Sequence, residues 1–156
     1  MDTLAEYQIF SLEKIDSVAE TILDVVGSHY SGKGAFVITL SGDLGAGKTA
    51  LTQAIARKLG VTENVSSPTF VVQKTYPLST PNPQGFTQLI HIDAYRIENQ
   101  AEAEVLKLQE LLHTQGVLFI IEWPEKLPSF RVDMRIELAH APEVGEDTRS
   151  MNVVLM

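Results

Sequence analysis

The sequence predicts an α/β fold with a central, mainly parallel sheet, helices on both faces and antiparallel strands at the edges. Three stretches predict it. Ala35–Leu40 is a mostly apolar run, as a buried parallel strand requires, and it leads into a glycine-rich turn and then a helical pattern. Val117-Leu-Phe-Ile-Ile121 is the most apolar run in the chain, which fits a central strand covered on both faces. Val132–Ala139 alternates between apolar and polar residues, as an antiparallel strand does, and Met151–Leu155 follows as the last strand.

The turn makes the prediction specific. Gly42-Asp-Leu-Gly-Ala-Gly-Lys-Thr49 fits G-x-x-x-x-G-K-[ST], the phosphate-binding loop, so the fold class is that of a P-loop NTPase. Gly42, Gly45 and Gly47 let the backbone curl until successive N–H groups converge on a polyphosphate. Asp43, Leu44 and Ala46 belong to the same backbone cradle. The helix that starts at the loop's end turns its positive pole toward the anion. Lys48 can reach the β- and γ-phosphates of ATP, and the Thr49 hydroxyl can ligate Mg²⁺. The pattern alone arises in about one random chain of this length in two hundred, and the strand and helix around it lower that figure. Leu51, Ile55 and Leu59 share a face of the helix, and Gly60 ends it.

A length of 156 residues suits one domain, 1–156. With no cysteine there is neither a disulfide nor a thiolate metal site, which fits a cytoplasmic location. No apolar run is long enough to cross a membrane, and Met1–Glu6 lacks the basic-then-apolar pattern of a signal peptide. The formal net charge of -8 argues against a free-standing nucleic-acid binder. It leaves room for action on RNA inside a complex whose other members carry the basic surface.

Tyr7–Ser11 reads as a short strand. Leu12, Ile15, Val18, Ala19, Ile22, Val25 and Val26 then mark an amphipathic helix. Ser11 stands where a helix N-cap is expected. The rival reading is a nucleotide contact, and Ser11 is kept among the nucleotide-binding candidates. Gly32-Lys-Gly34 turns the chain into the phosphate-loop strand. Val61–Phe70 is a polar loop and Phe70–Tyr76 a strand rich in β-branched and aromatic residues. Pro77–Gly85, with Pro81 and Pro83, is a long hairpin connection to a partner strand at Phe86–Asp93. Gln100–His113 forms one helix or two short ones, Pro124–Pro128 a helical turn, and Pro142–Ser150 a polar hairpin tip.

Two acidic strand ends carry the remaining chemistry. Val117–Glu122 is a hydrophobic strand ending in a carboxylate, and in a parallel sheet such an end lies on the side of the phosphate loop. Glu122 can hold Mg²⁺, directly or through water, or polarise an attacking water. Asp93, at the end of Leu89-Ile-His-Ile-Asp93, competes for that role and shares a face with His91. His91 itself reads as a structural hydrogen bonder. Ser67 and Thr69 lie where nucleotide switches keep a γ-phosphate-sensing loop, and a proline-fixed turn into a strand explains them equally well. Trp123, the sole tryptophan, is read onto the site rim rather than into the core, because it follows Glu122 and precedes Pro124.

Gly42–Thr49, Ser67-Pro-Thr-Phe70, His91-Ile-Asp-Ala-Tyr-Arg96 and Glu122-Trp-Pro124 together resemble the ordered motifs of the TsaE (YjeE) family. The phosphate loop is generic; the two later motifs in this order are specific. Ala94 departs from the family's usual leucine, on the face away from His91 and Asp93. The resemblance implies a small bacterial ATPase, weak alone, that works with TsaB and TsaD. Its ATP hydrolysis would support turnover of the transferase that installs threonylcarbamoyladenosine beside the anticodon, with tRNA met only through the complex and no membrane involved. It implies that Gly42–Thr49 bind phosphates, that Thr49 and Glu122 hold Mg²⁺, that Asp93 supports the metal or the water, and that Trp123 lines the nucleotide site. Lys48, Asp93 and Glu122 are then the catalytic candidates.

The mechanism expected is phosphoryl transfer to water, with Lys48 and the loop N–H groups stabilising charge on the β–γ bridge and γ-oxygens. A second arginine for the γ-phosphate is absent from the motifs; Arg96 or a partner residue are the candidates. A nucleotide-gated scaffold is the second reading. A small-molecule kinase is the third, weakened because Arg131, Arg135 and Arg149 are spread over strands and a tip rather than gathered in a lid.

Overall fold

The computed structural model describes residues 5–43, 45–63, 65, 73–78, 83–104 and 106–156, with backbone alone for residues 5–7. The strands are β1 (Ala5–Ser11), β2 (Phe36–Ser41), β3 (Gln73–Pro77), β4 (Gln88–Asp93), β5 (Val117–Glu122), β6 (Met134–His140) and β7 (Thr148–Leu155). The helices are α1 (Ile15–His29), α2 (Lys48–Lys58), α3 (Gln100–Glu104) and α4 (Leu108–Leu111). All seven strands join one sheet in the order β1-β7-β6-β2-β5-β4-β3. The four central strands run parallel, and β3, β7 and β1 add antiparallel pairings toward the edges.

Burial explains why the centre reads as unbroken apolar runs. Val37, Ile38 and Leu40 of β2 and every residue from Val117 to Ile121 of β5 are completely buried. One face is covered by α1 and α2, where Val18, Ile22, Val26, Leu51 and Ile55 pack on Phe36, Ile38, Leu40, Leu118 and Ile120. The other is covered by the α3–α4 segment, where Ala103, Leu108 and Leu112 pack on Val37, Phe119 and Ile121. With both faces apolar, alternation disappears. The Tyr30 hydroxyl, just past α1, ties the entries of two central strands together: it donates to Gly34 O (2.7 Å) and accepts from Gly116 N–H (2.9 Å).

Gln100–His113 takes the second of its two expected forms, two short helices, with Lys107 in a left-handed conformation (φ 52°) before the second. Several boundaries differ from the sequence reading. β6 is antiparallel to β7, as its alternation suggested, but parallel to β2 on its other side. β7 begins at Thr148, so the hairpin tip is shorter than Pro142–Ser150. Pro77 ends β3 on the sheet edge, where its missing N–H costs no ladder bond. Residues 66–72, which include Ser67 and Thr69 and the expected start of the third strand, and residues 79–82 of the hairpin lie outside the described residues. No described helix is long and apolar enough to cross a membrane.

Candidate functional site

The phosphate loop leaves the carboxyl end of β2, and the neighbouring parallel strands β5 and β4 end at the same level. Leu40 pairs with Glu122, and Glu122 with Asp93, along the register. That side of an open parallel sheet, past the strand ends, is where such folds bind ligands.

Glycine is required at two loop positions for different reasons. At Gly42 (φ 149°) a Cβ would lie 2.4 Å from the Leu138 carbonyl oxygen, so only glycine lets the loop pass beside β6. Gly47 (φ 104°) takes the left-handed conformation that starts α2 without a side-chain cap. Between them, Ala46 N–H donates to Asp43 O at 3.0 Å. Leu44 lies outside the described residues.

Lys48 does not project into solvent. It is 6% exposed, its ammonium donates to the Gly42 carbonyl, and Nζ sits 4.1 Å above the centre of the Trp123 ring. It forms no ion pair with a carboxylate among the described residues. With a carbonyl and an indole face as its only partners among the described residues, this buried ammonium is short of negative charge. The loop therefore fits an anion, and the glycine curl supplies the backbone room for it.

Trp123 is held in place at a conformational cost. Its backbone is left-handed (φ 58°, ψ 52°), one of two such non-glycine residues described, and costs about 1–2 kcal/mol. This turn out of β5 swings the half-buried indole between Lys48 on one side and the exposed Tyr95 ring, 5.0 Å away, on another. Trp123 thus lies on the site rim, packed only partly against the second core cluster.

Glu122 is 2% exposed and lies on the α2 face of the sheet with Ile120. Its Oε2 is 2.6 Å from Nε2 of His91, which is completely buried. The His91 Nδ1 has no partner, so the proton belongs on Nε2, donated to the carboxylate; a buried lone pair is easier to leave unmatched than a buried N–H. Asp93, beside Glu122, accepts the Tyr95 N–H on Oδ1 at 3.1 Å and is half-buried. No cluster of three or more His, Cys, Asp or Glu suited to a metal occurs among the described residues. Thr49, in the first turn of α2, and Glu122 and Asp93, at the ends of β5 and β4, bring side-chain oxygens of the hard type that Mg²⁺ takes to this end of the sheet.

A protein-family model described as "Threonylcarbamoyl adenosine biosynthesis protein TsaE" matches residues 10–151. The chain belongs to the TsaE family. The protein called tRNA threonylcarbamoyladenosine biosynthesis protein TsaE in Bacillus subtilis (strain 168) is 42% identical over 119 residues, which is 74% of this chain and 66% of that protein. The namesake in Nostoc is 41% identical over 97 residues (59% and 54% of the two chains), and that of Streptomyces coelicolor 35% over 122 residues (75% and 78%). The matches thus span about two thirds or less of the first two relatives. A crystal structure of Bacillus subtilis YdiB superposes with a TM-score of 0.64 at 29% identity, covering 99% of this chain and 86% of that one. Membership of the TsaE family places the chain among proteins of tRNA threonylcarbamoyladenosine biosynthesis and is consistent with nucleotide binding.

Two further candidates are Ser11 and Arg96. Ser11 precedes the short 3₁₀ turn Leu12–Lys14 in an extended conformation, but its side chain makes no capping hydrogen bond. Its neighbour Leu12 reaches within 3.8 Å of where a Cβ on Gly47 would stand. Arg96 lines an open groove with Tyr95, Asn99 and Lys126 beyond Trp123. Sequence reasoning overlooked His140 and Arg149. They pair across β6 and β7 and both come against the loop at Gly45. No local signal marks them, because their placement depends on the β6–β7 register.

Proposed function

We propose that this chain is the ATP-binding and ATP-hydrolysing component of the bacterial assembly that makes threonylcarbamoyladenosine beside the anticodon of tRNA. In this reading it is a weak Mg²⁺-dependent ATPase of one domain, resides in the cytoplasm, supports turnover by the TsaB–TsaD pair, and meets tRNA only through that complex. The observation that carries the nucleotide part is the buried Lys48 ammonium, without a carboxylate partner among the described residues and packed between the loop backbone and Trp123. The pathway part rests on membership of the TsaE family.

The chain's own residues divide the work. Backbone N–H groups of Gly42–Thr49 hold the polyphosphate, with Asp43, Leu44, Gly45, Ala46 and Gly47 shaping the cradle. Lys48 trades its Gly42 carbonyl for phosphate oxygens and stabilises the charge that builds on the β–γ bridge and γ-oxygens. Glu122, its one oxygen fixed by His91, presents the other to water or metal. Asp93, braced by the Tyr95 N–H, supports the same water from the adjacent strand. Thr49 and Glu122 would hold a Mg²⁺ ion, which when bound would supply positive charge to the polyphosphate. Trp123 and Ser11 edge the nucleotide site. A small-molecule kinase would need a lid rich in arginine. Arg131 instead donates to the Asp133 carboxylate and the Ala35 carbonyl, and Arg149 to carbonyls of the loop and its own hairpin, which weighs against that reading.

One specific observation favours a nucleotide-gated scaffold as the second reading. Trp123 touches both the phosphate-loop lysine and Tyr95, a 47% exposed aromatic ring, so loop occupancy and an outer surface are in contact through one side chain. Turnover measured with and without the partner pair separates the two. Stimulation by TsaB and TsaD is the expected result, and such trans effects reach about 10³-fold or more. Unchanged turnover together with nucleotide-dependent retention on a TsaB–TsaD column would select the scaffold.

Trp123 also reports binding directly. Its fluorescence is expected to change when ATP and Mg²⁺ draw Lys48 from beneath the ring. Trp123→Ala should lower function far more than stability, well short of the about 3–5 kcal/mol lost when a core tryptophan is truncated, because the indole is half-buried and packs only partly against the core. A silent emission spectrum combined with a collapsed melting temperature in Trp123→Ala would remove this residue from the site.

A further inference from the structure

Arg149 lies at the start of β7 and is 8% exposed. Its partners are carbonyls: Nη1 donates to Glu146 O (3.0 Å) and Thr148 O (3.1 Å), and Nη2 reaches Gly45 O at 3.4 Å. The buried Nε has no partner. No carboxylate pairs with it among the described residues. Cγ and Nε come within 3.9 and 4.0 Å of where a Cβ on Gly47 would be, so the side chain lies against the Gly45–Gly47 turn. His140, its partner in the ladder, stands 3.6 Å from the corresponding point on Gly45.

We infer that Arg149 is a positioning residue of the phosphate loop, bracing the Gly45–Gly47 turn from the β7 side and fixing an unneutralised positive charge behind the backbone that receives a nucleotide's polyphosphate. The inference rests on the phosphate-loop reading above and adds a residue to it.

Three physical points support it. A loop this rich in glycine has little intrinsic preference for one shape, so something outside it must select the receiving conformation. The planar guanidinium can do so, because a rigid fork spans two backbone segments at once, the 146–148 hairpin end and the loop. Carbonyl partners also leave the guanidinium charge intact. At this degree of burial it is poorly screened, so it attracts an anion in the loop without touching it. Substrate-binding geometry, rather than the chemical step, is what such a brace controls.

The test compares Arg149→Lys and Arg149→Gln with the parent chain and with Lys48→Ala, using ATP and Mg²⁺ in calorimetry and steady-state hydrolysis. Lysine keeps the charge and the stem but not the fork; glutamine loses the charge as well. ATP affinity should fall about tenfold in Arg149→Lys and further in Arg149→Gln, the scale of a lost hydrogen bond from a charged group. KM should rise in step while kcat changes less, the pattern of lost binding rather than lost chemistry. A folded Arg149→Lys protein with affinity within twofold of the parent, alongside a Lys48→Ala protein that no longer binds, overturns this inference and leaves the phosphate loop standing. If Lys48→Ala also binds normally, the loop reading itself fails. Where neither Arg149 variant folds, the unaltered protein decides: the Arg149 Nε–H resonance should shift when ATP and Mg²⁺ are added, and an unmoved resonance overturns the inference.

Discussion

Lys48→Ala should bind ATP about 10²–10³-fold more weakly than the parent and hydrolyse it at a rate near background, since it removes a charge aimed at the phosphates in a site sheltered from water. The expected effect on the fold is small and has an unusual sign. Lys48 is 6% exposed, and among the described residues its ammonium has only the Gly42 carbonyl and the Trp123 face as partners. Burying such a charge without a counter-ion is costly. The cation–π contact offsets about 0.5–2 kcal/mol of that cost. Alanine there removes both the burden and the contact, so the nucleotide-free melting temperature should hold or rise. Heating with and without ATP and Mg²⁺ then gives a clear reading. The parent gains about 2.7 kcal/mol of stability at a ligand concentration of a hundred times Kd, and Lys48→Ala gains none. Equal affinity and equal thermal protection in the two proteins would remove the phosphate loop from the function.

How much of this was legible in the sequence differs by kind of signal. The strand, loop and helix from Phe36 to Lys58 were legible because each link is local: apolar residues, glycines at fixed offsets, then helical spacing. The central position of β5 was legible because a strand buried on both faces has no alternation. The level alignment of Glu122 with Asp93 followed from the parallel sheet. What could not be read was anything set by register across distant strands. The hydrogen bond between His91 and Glu122 spans neighbouring strands diagonally, and motif spacing says nothing of it. Arg149 sat in a polar stretch that read as a hairpin tip. Only the pairing of Phe10 and His140 with Arg149 brings it to the loop. The burial of Lys48 was equally hidden, because it depends on the left-handed turn at Trp123, which Pro124 does not announce. A prolyl neighbour ordinarily biases the preceding residue toward extended backbone.

Glu122→Gln is the second large effect, and the buried pair makes it a cleaner variant than alanine. His91 donates Nε2–H to Oε2, and the amide oxygen of glutamine can accept the same bond at the same reach. The fold should therefore survive. Alanine would leave the Nε2–H of a completely buried histidine unmatched beside an already unmatched Nδ1, at about 1–3 kcal/mol. With the accepted bond preserved, glutamine's amide NH₂ faces the nucleotide side, where a carboxylate oxygen had been offered to water or metal. It is a donor and neutral, so it can neither take up a proton from an attacking water nor bind a cation. Partner-stimulated hydrolysis should fall about 10²-fold or more, while ATP affinity changes much less and the melting temperature stays close to the parent's. Asp93→Asn is the comparison, because Asp93 lies level with Glu122 on the next strand and keeps its contact with the Tyr95 N–H through the amide oxygen. Its loss should be smaller, as it supports rather than supplies the decisive oxygen. The reverse ranking would move the metal and water assignment from Glu122 to Asp93. A Glu122→Gln protein that no longer hydrolyses ATP yet sustains repeated tRNA modification with TsaB and TsaD would mean that binding, not hydrolysis, is what the complex uses.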